Sequence, residues 1–411
     1  MFEKLILDSS AAYFTERLAL EKSSPFSLIA EKVLNRERLS LEEGYQIIRA
    51  NDLNSLSQIA NFMRQRKAYE VAIRKGFDHK TALEHTKIVW WNTNLHLNPT
   101  NICIASCDFC SFARKPKEEG AYTMSIDEAV HRVVMAREEG ATEVHIVGGL
   151  NPKCLIEYYS DLISAIKKEV PSIHVKAFTA VEIDFFKKFE KNMSYEEIFD
   201  RLISAGLDSM PGGGAEIFSR SVRDEMCPDK IPAEKWVEIH QLAHRKGLKT
   251  NATMLAGIGE EAEERIDHLD VLRKAQDESL AANNPKAASF QTFIPLSCHY
   301  EGNDLLERGV KPLTGIDQIK NIIAARLILD NFDHIKAYWI QLGEKTAQIA
   351  LSMGANDLDG TVKAERITFA AGARQRSMAE ITLENIIKGA RLVPRERDTL
   401  YNPIELSVHR V

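Results

Sequence analysis

The sequence lacks the features of a secreted or membrane protein. It contains no run of about eighteen apolar residues, so we expect no membrane span. Its first residues, MFEKLILDSS, lack the basic region and apolar core of a signal peptide. A net charge of only −6 does not favour nucleic acid or an anionic membrane as the main partner. These absences predict a cytoplasmic protein that acts on a small molecule.

Cysteine is scarce, with six residues in a chain of 411. The spacing differs from that of a disulfide framework, which would suit a secreted chain. Three cysteines are isolated and are interpreted as small core residues, namely Cys154, Cys227 and Cys298. The other three fall within eight positions and are Cys103, Cys107 and Cys110. A tight triplet of this kind indicates a metal or cluster site.

Periodicity divides the chain into three predicted parts. Apolar residues at helical spacing, with Ser40 and Glu43 as a capping box, predict a helical cap over residues 1–90. Residues 91–370 alternate short apolar strands with amphipathic helices, and residues 371–411 are predicted to form a C-terminal helix and an extension packed on the barrel.

Eight strand–helix units predict an α/β fold, a (β/α)₈ TIM-type barrel that could be partial. The predicted strands are LHLNPTNIC, EVHIVGG, HVKAFTA, DSMPGGG, KTNATMLA, SFQTFIPL, IKAYWIQL and DLDGTV. A barrel of six units is the alternative, because DSMPGGG and DLDGTV are weak strands. Polar, glycine or cysteine residues end most of these strands, and that end of such a barrel carries the active site.

The cysteine triplet has the spacing Cys-x₃-Cys-x₂-Cys and follows the first predicted barrel strand. Three thiolates can bind three irons of a [4Fe–4S] cluster and leave the fourth iron open to a chelating molecule. The amino and carboxylate groups of S-adenosylmethionine form such a chelate, and one electron would then cleave a C–S bond to give a 5′-deoxyadenosyl radical. Phe109 could pack on the adenine or cover the cluster. The alternatives are a zinc knuckle, for which no second Cys-x₂-Cys unit is found, and three buried free thiols.

Two further strand ends supply candidate cofactor contacts. Gly148 and Gly149 would let a ligand approach the backbone closely, although a plain tight turn would look the same. Glu182 could accept hydrogen bonds from ribose hydroxyls, or it could simply stabilise the start of a helix. Thr179 is a weaker candidate at the same strand end.

Candidate substrate contacts come from the later strands, and they are Gly213, Gly214, Glu216, Asn251, Thr253 and Gln291. The glycine run offers free N–H groups that suit a carboxylate or a nucleotide edge, but it could also be a flexible turn. Alternate residues of a strand point to the same side, so the side chains of Asn251, Thr253 and Gln291 could point into the barrel mouth. They could also satisfy one another as buried polar groups. Arg223 and His145 could pair with a substrate carboxylate or act in proton transfer, but a surface or structural role is expected for each.

The triplet, with an aromatic residue before its third cysteine, resembles that of the radical S-adenosylmethionine superfamily. The segments GATEVHIVGGLNP, HVKAFTAVEID, AGLDSMPGGGAEIF and RERDTLYN extend the resemblance, over nearly the whole chain, to the aminofutalosine synthase family of menaquinone biosynthesis. Close relatives of that family are dehypoxanthine futalosine cyclase and the radical subunit that builds the deazaflavin chromophore.

The resemblance implies a [4Fe–4S] cluster, S-adenosylmethionine consumed as a co-substrate, and a flavodoxin or ferredoxin as electron donor. It also implies a reaction in which the adenosyl radical adds to 3-[(1-carboxyvinyl)oxy]benzoate, with aryl migration and loss of the carboxylate, to give 6-amino-6-deoxyfutalosine. Three positions depart from the expected pattern: Leu150 replaces a glutamate, and Asn151 and Ile258 stand where histidines are expected. The alternatives are therefore a sister radical enzyme and a non-catalytic zinc-binding protein.

Overall fold

The computed structural model describes residues 26–282, 284–375 and 377–404. The segment in which we expect no signal peptide lies outside these ranges. Within them, no helix combines the length and the apolar character needed to cross a bilayer.

Four helices precede the sheet: α1 (Ser27–Leu34), α2 (Leu41–Arg49), α3 (Leu53–Arg74) and α4 (His79–His85). The capping box predicted before α2 is present, because the Ser40 hydroxyl accepts the Glu43 N–H and the Glu43 carboxylate accepts the Ser40 N–H. Strand β1 (Ile88–Trp91) follows these helices and was not predicted, since four apolar residues in a row carry no alternation. The domain boundary at residue 90 stays a prediction.

A parallel sheet of ten strands forms the centre of the molecule, in the order β10-β1-β9-β8-β7-β6-β5-β4-β3-β2. The strands after β1 are β2 (Asn94–Leu97), β3 (Glu143–Ile146), β4 (His174–Ala177), β5 (Ser209–Met210), β6 (Lys249–Ala256), β7 (Phe290–Ser297), β8 (His334–Ala337), β9 (Asp357–Leu358) and β10 (Val393–Glu396). Strands β2 to β9 are the eight predicted strands, so the six-unit alternative is wrong. The sheet curls into a partial TIM-type barrel, which confirms the predicted fold class.

Helices alternate with the strands along the chain. They are α5 (Ile126–Glu138), α6 (Ile156–Glu169), α7 (Ala180–Phe189), α8 (Tyr195–Ala205), α9 (Arg220–Met226), α10 (Ala233–Arg245), α11 (Ala262–Leu280), α12 (Gly315–Ile328), α13 (Trp339–Ser352), α14 (Ile367–Ala370) and α15 (Glu380–Gly389). The prediction of a strand through IKAYWIQL is wrong in its second half. Strand β8 ends at Ala337 and α13 begins at Trp339, with a break at Gly343, where φ is 74°.

The chain segment that follows β9 runs beside β2. The His96 N–H donates to the Lys363 carbonyl at 2.9 Å, and the Lys363 N–H donates to the Asn94 carbonyl at 3.0 Å. On β3, the side chains of Val144 and Ile146 are fully buried in the apolar core, so the alternate residues point to the inside of the barrel. The barrel interior is therefore polar.

The C-terminal extension covers the end of the barrel where the strands begin. Strand β10 runs beside β1. The residues after β10 reach the first residues of β3, β8 and β9. Thr399 donates to Glu143 at the start of β3 at 2.7 Å. The Tyr401 ring stacks on His334 at the start of β8, with ring centres 3.5 Å apart. The residues of β10 and those after it, up to 404, contact the barrel, whereas the predicted C-terminal domain of residues 371–411 stays a prediction.

Candidate functional site

The three cysteines of the triplet lie in one loop between β2 and α5, at the end of the barrel opposite the C-terminal extension. All three are partly exposed and, like the other cysteines, are free thiols. The Lys115 ammonium closes the loop by donating to the carbonyl oxygens of Cys103, Ile104 and Ala105 at 3.2 to 3.4 Å. The Cys110 N–H donates to the Cys107 carbonyl at 3.0 Å, which forms the turn between the second and third cysteines.

The donor set fits a [4Fe–4S] cluster with one open iron, because the loop offers three thiols and they are soft ligands. Cys103 also receives a hydrogen bond at sulfur, from the Leu150 N–H at 3.4 Å. Burial raises the pKa of the Cys107 thiol to about 12, and the nearby ammonium of Lys230 offsets this only in part. Among the described residues, no three His, Cys, Asp or Glu side chains converge on a point that would hold a single metal ion.

The Gly148–Gly149 segment runs directly beneath the cysteine loop. A Cβ on Gly149 would lie 2.3 Å from the carbonyl oxygen of Ile102, the residue before Cys103. The Gly149 N–H donates to the Thr100 carbonyl at 2.9 Å. Only glycine permits this contact, so the strand end and the cysteine loop are fixed against each other.

Glu182 joins the end of β3 to the start of α7. One carboxylate oxygen accepts the Gly148 N–H at 3.1 Å, and the other accepts the N–H and hydroxyl of Thr179 at 2.8 and 2.9 Å. Burial raises the pKa of Glu182 to about 7 despite these donors. Both oxygens are therefore already engaged within the protein. The predicted contacts of Glu182 and Thr179 with a ribose stay predictions.

The glycine run after β5 packs on the same strand end. A Cβ on Gly213 would lie 2.9 Å from Cγ2 of Thr179, and Gly214 has a φ of 82° that favours glycine. The Gly212 carbonyl accepts the Thr253 hydroxyl at 2.6 Å. The structure thus brings Gly213, Gly214 and Thr253 together with the candidate cofactor contacts.

A buried ion pair links the glycine run to the cysteine loop. The Lys230 ammonium pairs with Glu216 and lies 5.2 Å from the centre of the Phe109 ring. Burial alone would lower the pKa of Lys230, but the Glu216 carboxylate outweighs it and raises that pKa. Glu216 also has a left-handed φ of 47°, a strained conformation of the kind that clusters at functional sites.

Lys230 and Lys115 were not predicted as site residues. Each is one of many lysines in the sequence, and no local pattern distinguishes it. Their importance follows from tertiary contacts that join segments far apart in sequence. A positive residue close to a cysteine motif is the only signal that could have suggested either.

Asn251 and Gln291 lie side by side inside the barrel. The Gln291 amide donates to the Asn251 side-chain oxygen at 3.2 Å, and the Gln291 oxygen is buried with no partner in the described part of the chain. The register of β6 and β7 shifts at Asn251, which turns both side chains inward. Their predicted contact with substrate stays a prediction.

The contacts show structural roles for Arg223 and Asn151. Arg223 is buried and donates to the backbone carbonyls of Ala215, Ile217 and Ile231, so it braces the loop that follows β5. Asn151, which stands where a histidine was expected, donates from its buried amide to the hydroxyls of Thr100 and Thr123, both at 3.0 Å. The isolated cysteines Cys154, Cys227 and Cys298 are buried, as predicted for core residues.

Two family models match the chain. The model of the radical SAM superfamily matches residues 97–272, and that of the CofH/MqnC C-terminal region matches residues 287–410. The chain is 42% identical, over 92% of its length and 95% of the relative, to an aminodeoxyfutalosine synthase of Thermus thermophilus. The chain belongs to the radical SAM superfamily. It is therefore an enzyme of this kind, and the family implies a [4Fe–4S] cluster and S-adenosylmethionine.

Other known proteins are also similar to this chain. An aminodeoxyfutalosine synthase of Streptomyces coelicolor is 39% identical over 91% of this chain and 92% of its own. A 5-amino-6-(D-ribitylamino)uracil–L-tyrosine 4-hydroxyphenyl transferase of Methanopyrus kandleri is 37% identical over 79% of this chain and 85% of its own. Among solved structures, the FeFe-hydrogenase maturase HydG from Carboxydothermus hydrogenoformans superposes with a TM-score of 0.66 over 98% of this chain and 86% of its own, at 18% identity, which shows a shared fold.

Proposed function

We propose that this radical SAM enzyme joins the 5′-deoxyadenosyl group of S-adenosylmethionine to 3-[(1-carboxyvinyl)oxy]benzoate and forms 6-amino-6-deoxyfutalosine for menaquinone biosynthesis. The observation that carries the proposal is the 42% identity to an aminodeoxyfutalosine synthase along 92% of the chain. The tyrosine 4-hydroxyphenyl transferase is less similar and covers 79%.

The cysteine loop supplies the first requirement of this chemistry. Cys103, Cys107 and Cys110 would hold a [4Fe–4S] cluster, which when bound supplies the electron that cleaves the C–S bond of S-adenosylmethionine. The Phe109 ring would shield the cluster from solvent or pack on the adenine. The Lys230 ammonium, which is paired with Glu216 next to the loop, would attract the carboxylate of a methionyl moiety.

The proposed reaction balances without an added oxidant. The adenosyl 5′ carbon forms a bond to the vinyl CH₂ group, and the aryl group moves from oxygen to the adjacent carbon. The enol-ether carboxylate then leaves as carbon dioxide and releases one electron, so the electron used for cleavage is recovered. Such a sequence needs a pocket that excludes water and offers no easily abstracted hydrogen atom near the 5′ carbon.

The proposal also covers the electron donor, the cellular location and the binding residues of the enzyme. A flavodoxin or ferredoxin would deliver the electron, and the enzyme would work in the cytoplasm without nucleic acid or membrane as a partner. The substrate-binding residues would be those on the glycine run and inside the barrel, namely Gly213, Gly214, Glu216, Asn251, Thr253 and Gln291. Gly148, Gly149, Thr179 and Glu182 would line the S-adenosylmethionine side.

The sister reactions are the competing candidates, because one family model that matches is shared with related enzymes. The test uses protein reconstituted anaerobically with iron and sulfide, reduced, and mixed with S-adenosylmethionine and 3-[(1-carboxyvinyl)oxy]benzoate. A parallel mixture contains 5-amino-6-(D-ribitylamino)uracil and tyrosine instead.

The proposal predicts a product in the first mixture with the mass of 6-amino-6-deoxyfutalosine, and none in the second. Formation of only 5′-deoxyadenosine in the first mixture, or of a coupled product in the second, would contradict it. Binding of zinc without iron or sulfide, together with no cleavage of S-adenosylmethionine, would instead favour the non-catalytic alternative.

A further inference from the structure

A row of three polar side chains crosses the inside of the barrel. His96 on β2 is in register with His145 on β3, and His145 is in register with Lys176 on β4. Their chain neighbours Leu97 and Val144 are buried in the apolar core on the outer face of the sheet. Because side chains alternate along a strand, the three residues of the row face the interior together.

The row carries hydrogen-bond donors that the protein does not use. The Lys176 ammonium makes one hydrogen bond, to Glu143 at 2.7 Å, and its side chain is only 5% exposed. Across the barrel, the Lys336 ammonium also makes one, to Asp359 at 2.8 Å. An ammonium has three N–H groups, so each lysine keeps two that have no acceptor among the described residues.

The two imidazoles of the row contact each other. Their rings meet edge to face with centres 4.8 Å apart, and Nε2 of His145 is buried without a partner in the part of the chain that is described. Both residues are only half-buried although they lie inside the barrel, so an internal cavity borders them. Burial lowers the pKa of both imidazoles, and each neutral ring therefore carries one N–H.

The row lies deeper in the barrel than the candidate cofactor contacts. His145 precedes Gly148 by three residues and Lys176 precedes Thr179 by three, which places the row about 10 Å below the mouth at the rise of a strand. A molecule that reacts with an adenosyl carbon at the mouth could therefore extend its far end to the row.

We propose that His145, with His96 and Lys176, binds the ring carboxylate of an aromatic substrate whose enol ether lies at the barrel mouth. The inference rests on the proposed function and adds the position of one of the two substrate carboxylates. A carboxylate suits the site because it accepts several hydrogen bonds, and the spare groups of the row are donors. The nearby carboxylates of Glu143 and Asp359 are already paired with lysines, so a cation would find no free oxygen pair there.

The test compares two substrates and four proteins. The substrates are 3-[(1-carboxyvinyl)oxy]benzoate and its analogue without the ring carboxylate, and the measurement is kcat/KM for adduct formation. The proteins are the unaltered enzyme, His145→Leu, the donor-retaining variant His145→Gln, and His131→Leu, an exposed histidine on α5 that serves as the matched control. Iron content and thermal stability are measured for each.

The unaltered enzyme and His131→Leu are expected to favour the dicarboxylate. His145→Leu is expected to lose about tenfold of that preference, the effect of one hydrogen bond to a charged group, while its rate with the analogue stays nearly unchanged. His145→Gln should retain most of the preference. Calorimetric titration of the dicarboxylate into each protein without S-adenosylmethionine should show the same loss in binding.

Two outcomes would overturn the inference, and they are distinguishable. If the unaltered enzyme forms adducts but His145→Leu keeps the full preference, the carboxylate binds elsewhere and the proposed function stands. If the unaltered enzyme forms no adduct with either substrate, the proposed function fails and the inference fails with it. Should His145→Leu not fold, His96→Leu changes the same row and is tested in the same way.

Discussion

Replacing Gly149 by alanine is expected to displace the cysteine loop. The new Cβ would lie 2.3 Å from the carbonyl oxygen of Ile102 and 2.7 Å from its carbonyl carbon. Both atoms belong to the backbone, so no side-chain rotation relieves the contact. Relaxing it to 3.0 Å, below which Cβ atoms are essentially never found, requires a shift of about 0.7 Å next to Cys103. The same shift would disturb the hydrogen bond from Leu150 to the Cys103 sulfur.

Two measurements check this prediction. Overpacking of this kind typically costs about 1 to 3 kcal/mol, so the free energy of unfolding in denaturant should fall by that amount. The iron bound per chain after anaerobic reconstitution should also fall well below that of the unaltered protein. Gly315→Ala is the matched control, because its Cβ would meet nothing within 4 Å. A Gly149→Ala protein with unaltered stability and iron content would refute the assigned contact between the strand end and the loop.

Three further predictions concern other parts of the molecule. Cys107→Ala should abolish iron binding and cleavage of S-adenosylmethionine, whereas Cys154→Ala should leave both intact; equal iron content by elemental analysis would contradict the cluster assignment. Burial raises the pKa of Glu182 from 4.5 to about 7, so the stability it contributes is present below pH 4.5 and lost as the pH rises to 7. The unfolding free energy of the unaltered apoprotein, minus that of Glu182→Gln, should therefore drop by about 3 kcal/mol between pH 4.5 and 8, and a flat difference would count against a buried carboxyl. Tyr401→Phe removes the hydroxyl that donates to buried Asp357 and should lower the unfolding free energy by about 1 to 3 kcal/mol; an unchanged midpoint in denaturant would contradict that role.

Much of the architecture could be predicted because it depends on local periodicity. The alternation of apolar strands and amphipathic helices identified β2 to β9, and Ser40 with Glu43 located the start of α2. Strands β1 and β10 escaped prediction because IVWW carries no alternation and VPRE contains a proline and two charged residues. Trp339 to Leu342 was assigned to a strand because a short apolar run has the same pattern in both kinds of structure.

The chemistry of the site could be predicted only in part. The cysteine triplet is a local pattern with a specific ligand chemistry, and Phe109 lies within it. Lys230 escaped prediction because its importance comes from its pairing with Glu216, which is fourteen residues away. No period or motif in one sequence encodes such a contact.

The sequence by itself determined the fold class and the superfamily and predicted the cluster ligands, since these depend on residue patterns along single segments of the chain. Only the tertiary structure decided which side chains meet inside the barrel. The row of His96, His145 and Lys176 comes from three strands whose order in the sheet must be known before their residues can be aligned. The closure of the barrel by Thr399 and Tyr401 likewise depends on chain segments that come together only when the protein folds.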